Sequence, residues 1–538
     1  MKKSVKTMDK PNIIIFNPDQ MRADALHHLG NLASHTPNMD ALCEEGVSFE
    51  NCFCQSPVCV PSRCSFMTGN YPHTNGHRTM SYLLQPDECN LFTDMKNAGY
   101  YTISSARGDL MAGQFKKYHR KNIDKYLMFS RVKTPITFVK ANRGEKGSDT
   151  YNSFMDGIIP ENKNGREIRN TDDLTIDSAI RAIKKRPSDK PFFMFIGLNF
   201  PHPPYQIEKK YYDMINESKL QKRIPSIKDS DGKPLMETGL CKALGVADYS
   251  EERFNEIRKV YLAMCAKIDD QLGRIIETLK KENIYDNTAI VVTSDHGDYT
   301  TDFGLVEKCQ NCFPDCLVNV PFIIKPANNI IVDKGINSNL AELTDLCATV
   351  YDLAGIECKR FSFSQSTMPT LLDKTTPHRE FVFSEGGRLI GETQSTEMNL
   401  FINENDRYAP RQLLQAKEDG THTKATMIRT AEYKYIMRLY EKDEFYVLCE
   451  GESINRIDDE QYKEVIAKLR DKMLLWYQET CDSVPEKFDD RFTNEFLENN
   501  IASVGVPLFV AKCVTGAMSL TGKTASQFID WIRAKLKV

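Results

Sequence analysis

At 538 residues the chain can hold one large α/β domain and a smaller one, because a single hydrophobic core normally divides at this size. Charged residues at 27% and hydrophobic ones at 41% describe an ordinary globular protein, and 70 basic against 74 acidic side chains leave a net charge of −4. That balance excludes global steering toward nucleic acid, so any attraction for an anion has to be local.

Met1 to Lys10 is basic and runs straight into Asn12-Ile13-Ile14-Ile15-Phe16, without the longer apolar region and small-residue cleavage site of a signal peptide. A cytoplasmic protein is expected, and its 16 cysteines then stay mostly reduced. Pro11 to Asn17 reads as a buried parallel strand, with Asp19-Gln20 at its C-terminal end, where ligands gather in open α/β sheets. A short helix is predicted between Met39 and Val47. Next comes Cys59-Val60-Pro61-Ser62-Arg63: a thiol, a proline that fixes the backbone, and a serine and arginine following it onto a helix start, where backbone N–H groups and a guanidinium favour an anion. Cys59 is either a buried structural cysteine or a nucleophile beside an anion cradle.

Cys59-Val60-Pro61-Ser62-Arg63 resembles the C-x-P-S-R signature of type I sulfatases, in the alkaline-phosphatase-like superfamily. The segments from His35-Thr36-Pro37-Asn38-Met39-Asp40 to Tyr71-Pro72-His73-Thr74-Asn75-Gly76-His77 also resemble that family's opening. The resemblance implies that Cys59 is converted to formylglycine by a maturation enzyme. It also implies that Asp19 and Gln20 help hold a divalent cation. Gln20 stands where many sulfatases carry a second Asp, which is similar to the choline-sulfatase and phosphonate-monoester-hydrolase branches. In the loop after the strand-like Tyr101-Thr102-Ile103, where the family has Gly-Lys-x-His, this chain has Ala106-Arg107-Gly108-Asp109. Arg107 can pair with an oxyanion, whereas Asp109 cannot copy a cationic histidine.

Gly144 to Asn170 turns polar and reads as an excursion or substrate loop, followed by a capped helix from Leu174 to Lys185. Pro191 to Gly197 is a second buried strand, leading to Asn199-Phe200-Pro201-His202-Pro203-Pro204, whose prolines hold the His202 ring in place. By resemblance to the family's Pro-His-x-Pro element, His202 contacts the sulfate or the leaving group. Tyr249 to Lys281 is an amphipathic scaffold helix with Ile257, Val260, Met264, Ile268, Leu272 and Ile275 on one stripe. Thr288 to Ser294 is a third buried strand, ending in Asp295-His296-Gly297-Asp298. If its neighbour is the first strand, Asp295 and His296 can share one cation with Asp19, Gln20 and residue 59. Ca2+ is favoured by the family, and the nitrogen ligand leaves Mn2+ or Mg2+ open. Lys308 falls where the family's Gly-Leu-x-x-Lys lysine contacts sulfate.

The expected architecture is a large mixed, mostly parallel sheet flanked by helices over residues 1–375. A smaller antiparallel C-terminal α+β domain follows over 376–485, with a helical extension over 486–538. His378, Arg388 and His422 are further candidates for substrate contact. Cys309, Cys312 and Cys316 have metal-like spacing, although packed thiols are the default. Ile501 to Leu520 is apolar, but Pro507 and Lys512 argue for a packed helix pair or a homo-oligomer contact rather than a membrane span. The resemblance makes the protein a sulfuric ester hydrolase acting on a small-molecule or saccharide sulfate ester, with Cys59, Arg63, His202, Lys308 and Arg107 catalytic and Asp109 beside the substrate. Phosphonate monoester or phosphodiester hydrolysis on the same scaffold is the alternative. A non-catalytic binding protein with unmodified Cys59 is a second.

Overall fold

A computed structural model describes residues 10–105, 109–112, 122–127, 144–160, 168–227, 232–357, 360–392 and 406–483. Its chain contacts divide it into two units, Met1–Asp482 and Ser483–Val538, and of the second only Ser483 is described. Arg107 and the apolar run 501–520 therefore lie outside the described residues.

In chain order the strands are β1 (Asn12–Asp19), β2 (Val47–Phe53), β3 (Tyr101–Ser105), β4 (Lys125–Leu127), β5 (Met155–Ile159), β6 (Phe192–Pro201), β7 (Tyr205–Glu208), β8 (Thr288–Thr293), β9 (Phe322–Lys325), β10 (Gly335–Glu342), β11 (Val382–Gly386), β12 (Ala425–Arg429), β13 (Tyr433–Arg438) and β14 (Glu444–Val447). Eight of them form one sheet in the order β10-β2-β9-β8-β1-β6-β3-β4. Every pairing is parallel except those of β9, which runs against both neighbours. The central strands are apolar on both faces because helices cover both, and Ile13, Ile14, Ile15 and Phe16 are fully buried. β1 lies between β8 and β6, with Phe16 opposite Val292 on one side and Ile196 on the other.

The helix Glu251–Lys281 carries its predicted stripe into the core, capped by the Ser250 side chain, which accepts from the Arg253 amide. Lys280 and Lys281 in its last turn complement the helix dipole. The polar excursion is not all loop. It contains β5, which pairs in parallel with β7 some fifty residues later. Met-Asp-Gly-Ile-Ile has no clean alternation, so only the distant partner makes it a strand.

β11 to β14 form an antiparallel sheet in sequence order, covered by the helix Lys463–Thr480. Trp476 of that helix stacks on Phe383 with centroids 4.4 Å apart and meets Tyr71 edge-on at 4.9 Å. His73 bonds Glu385 through Nδ1 at 2.6 Å and Thr480 through Nε2 at 2.8 Å. Tyr71 and His73 thus fasten this sheet to the large one. Gly386, at the end of β11, lies so close to the segment after Lys308 that a Cβ there would come within 1.7 Å of the Gln310 carbonyl oxygen. The small sheet therefore rests directly on the loop carrying Lys308.

Candidate active site

Parallel pairing of β1 and β8 sets Asp19 and the turn Ser294-Asp295-His296 side by side at the C-terminal edge of the sheet. The helix Cys59–Thr68 starts against that edge, and Ser62 Oγ donates to the Asp295 carbonyl at 2.5 Å. Its first residue, Cys59, has Sγ 3.2 Å from His296 Nε2 and 3.6 and 3.8 Å from the two Asp19 carboxylate oxygens. Donor atoms of Asp19, Cys59, Asp295 and His296 all lie within 4.8 Å of one another, and all four residues are buried.

Arg63, one turn along from Cys59 on the same helix face, closes the group from below. Its NH2 is 2.6 Å from Asp19 Oδ2 and 2.7 Å from Asp295 Oδ2, and its Nε donates to Asp295 Oδ2 at 2.8 Å. Burial works against the guanidinium charge, but Asp295 and Asp19 outweigh it and raise the Arg63 pKa further. The Oδ1 oxygens are left facing His296 Nε2, at 3.7 Å for Asp19 and 3.9 Å for Asp295. His296 Nδ1 donates to the Gly297 carbonyl at 2.9 Å, which leaves Nε2 with its lone pair toward the group. Burial, with Lys308, lowers the His296 pKa against the opposing pull of Asp295 and Asp19. Burial and then Asp19 raise the Cys59 thiol well above its ordinary range, against the pull of Lys308 and Arg63.

Around this group stands a shell of bonded polar residues. Lys308 Nζ donates to Gln20 Oε1 at 2.9 Å and to Glu307 Oε1 at 2.8 Å. Gln20 Nε2 in turn donates to Asp298 Oδ2 at 2.5 Å, and the Tyr205 hydroxyl donates to the same carboxylate at 2.8 Å. His202 has Nδ1 on the Pro203 carbonyl at 2.7 Å and Nε2 3.6 Å from Glu307 Oε1. Asp109 Oδ2 is 3.7 Å from Arg63 NH1. The structure thus brings Asp19, Cys59, Arg63, Asp295 and His296 into one cluster and sets Gln20, Lys308, His202 and Asp109 about it.

Sequence reasoning missed Glu307, Asp298 and Tyr205, which sit beside recognised motif residues, and Arg411, for which no motif exists. Of the C-terminal candidates, His378 pairs with Asp345 at 2.9 Å, and Arg388 is spent on the Gln415 and Lys417 carbonyls at 3.1 and 3.0 Å. The His422 ring is buried, with neither nitrogen hydrogen-bonded among the described residues. The described cysteines are free thiols. Cys309 and Cys312 lie Sγ to Sγ at 3.3 Å, and among the described residues the group at Asp19 alone offers a metal three or more such ligands in one place.

Two carboxylates, an imidazole whose Nε2 faces them and a residue 59 side chain suit a divalent cation. The guanidinium beneath them balances charge that the cation leaves over.

The sulfatase family model matches residues 11–356, from the first strand through Lys308 to the end of the helix Asp345–Ala354. Arylsulfatase K of Danio rerio is 24% identical over 402 residues, covering 70% of this chain and 72% of that protein. Among solved structures, phosphonate monoester hydrolase of Agrobacterium radiobacter matches with a TM-score of 0.65 at 20% identity, covering 88% of this chain and 96% of its own. A protein solved in complex with its substrate D-glucosamine-2-N,6-O-disulfate also matches with a TM-score of 0.65, at 18% identity, covering 89% of this chain and 100% of its own. These structural likenesses establish an alkaline-phosphatase-like fold. With the family match spanning well over half of the sequence and every described member of the cluster, the chain belongs to the sulfatase family of sulfuric ester hydrolases.

Proposed function

We propose that the enzyme hydrolyses the sulfate ester of a sulfated saccharide, with Cys59 matured to formylglycine by a dedicated enzyme and a divalent cation held by Asp19, Gln20, Asp295, His296 and the side chain at position 59. The observation that carries this reading is the position of Cys59. It heads a helix inside a buried donor cluster, where two carboxylates, an imidazole and the Arg63 guanidinium all bear on the side chain. Formylglycine at this position would supply an aldehyde whose hydrate is a nucleophile, a function that a plain thiol does not offer. The cation supplies Lewis acidity and a fixed template, with Ca2+ favoured and Mn2+ or Mg2+ compatible with the nitrogen donor.

The chain's own residues do the rest. Arg63 holds the two carboxylates in place, and Lys308 offsets negative charge on the sulfate oxygens and, beside His202, serves the departing oxygen. As the bond from sulfur to the leaving oxygen breaks, His202 delivers its Nε2 proton to that oxygen and is left neutral. Arg107 is assigned, with Lys308, to the charge on the sulfate oxygens, and Asp109 to contact with the substrate. The D-glucosamine disulfate bound by a structural relative supports a saccharide substrate here.

The test is peptide mass spectrometry of the Cys59 fragment from protein expressed with and without a maturation enzyme, alongside turnover of 4-nitrophenyl sulfate. Aldehyde and turnover should appear together, and Cys59→Ala should have neither. Turnover surviving in Cys59→Ala rejects the reading. A second reading, phosphonate monoester or phosphodiester hydrolysis, is favoured by Gln20 and His296 in the donor set and by the phosphonate monoester hydrolase likeness. Faster turnover of a phenyl phosphonate ester than of the matching sulfate would establish it.

A further inference from the structure

Glu307 is fully buried immediately before Lys308, and its backbone has φ of +68°, a left-handed conformation that glycine adopts without strain and glutamate does not. Its amide donates to the Tyr205 hydroxyl at 3.0 Å, which fixes the strained turn to the Asp298 network. The carboxylate is in contact with several groups at once. Oε1 accepts from Lys308 Nζ at 2.8 Å and from the Tyr408 hydroxyl at 3.3 Å, and it lies 3.6 Å from His202 Nε2. Oε2 accepts from the Lys308 amide at 2.6 Å and pairs with Arg411, a buried residue of the helix Ala409–Gln415. The charged groups facing Glu307 are thus Lys308, His202 and Arg411, with Asp298 behind Tyr205. One carboxylate faces both side chains that the reaction assigns to the departing group, and among the described residues it bonds none of Asp19, Gln20, Cys59, Asp295 and His296.

We propose that Glu307 is a positioning residue for leaving-group protonation, aligning His202 and Lys308, with Arg411 as its counter-ion. The site is therefore incomplete without the segment carrying Tyr408 and Arg411. This inference rests on the sulfatase reading and adds to it a division of labour. The cation cluster handles attack on sulfur, and the Glu307 group handles the oxygen that leaves. During departure the sulfur–oxygen bond breaks, its electron pair stays on the leaving oxygen, and the proton from His202 Nε2 neutralises that oxygen. Glu307 is neither protonated nor consumed.

The chemistry gives a readout that a merely structural role would not move. 4-Nitrophenolate is stable as an anion and leaves without a proton, whereas the more basic phenolate of phenyl sulfate benefits from one. Matured wild-type, Glu307→Gln, Glu307→Gly, Arg411→Ala and Arg411→Lys proteins are each assayed on both esters, and the ratio of the two kcat values is taken within each preparation. That ratio does not depend on the fraction of protein folded. Glu307→Gln and Arg411→Ala should raise the 4-nitrophenyl to phenyl ratio by about tenfold or more, out of the ~10²-fold that a general acid supplies. Glu307→Gly relieves the backbone and should show the same rise. Arg411→Lys should return the ratio close to that of wild type. An unchanged ratio in Glu307→Gln and Glu307→Gly, with both esters slowed equally or not at all, overturns the proposal. Wild-type protein that carries the aldehyde but turns over neither ester overturns the sulfatase reading itself.

Discussion

Asp19 and Asp295 would each be costly to bury alone. They share one guanidinium, and Arg63 is placed to serve both because it lies four residues after Cys59 on a helix that starts at the sheet edge. That part of the site was legible in the sequence, since the spacing from Cys59 to Arg63 is helical and local. Glu307 and Arg411 were not, because their pairing joins residues more than a hundred apart and neither carries a motif. His422 shows the same limit in another form. Its ring is buried without a hydrogen-bonding partner among the described residues, and burial, then Arg388 and Arg411, bring its pKa down to about 3. The unfolded ring takes up a proton near its ordinary value of about 6.5, and the folded ring does not. Stability from this group is thus present above pH ~6.5 and is lost as the pH falls toward 3, by up to about 1.4 kcal/mol per pH unit. His422→Phe keeps a ring and removes the titration, so urea midpoints measured from pH 7 to pH 4 should fall less steeply than in wild type. An identical slope would place the ring in contact with solvent.

Among the elements, β1, β6 and β8 were readable because each is a continuous apolar run, which only a strand covered on both faces requires. β5 was not, because its sequence carries no alternation and its pairing with β7 depends on the tertiary fold. The helix Lys463–Thr480 has a role that was not readable either. It presents Trp476 to Phe383, Tyr71 and His73, and so ties β11 to the segment that follows the Cys59 helix. Trp476→Ala removes that packing and should cost about 3–5 kcal/mol. Hydrogen exchange should then quicken in β11 to β14 and stay slow in β1, β6 and β8. Uniform quickening would mean that the two sheets unfold as one unit.

For the whole molecule, the fold class could be expected from strands alternating with long helices, and the place of the site from the rule that ligands gather at the C-terminal edge of parallel strands. The position of the small sheet could not, because Gly386 meets Gln310 through a close backbone approach that no local pattern announces. A cation bound in the Asp19 cluster should stabilise the entire unit by mass action, since the donors come from β1, the Cys59 helix and the end of β8. Titrating Ca2+ or Mn2+ into metal-stripped protein should raise Tm by several degrees, and His296→Ala should weaken the rise. A Tm indifferent to both ions and to the substitution would remove the cation from this position.

Cys59 is 2% exposed once the chain has folded. On the proposed maturation, an enzyme that rewrites this side chain would not reach it through the finished surface, and the two proteins would have to meet before folding closes over the residue. Maturation and folding would then compete in time, and a chain that folds first would keep its sulfur.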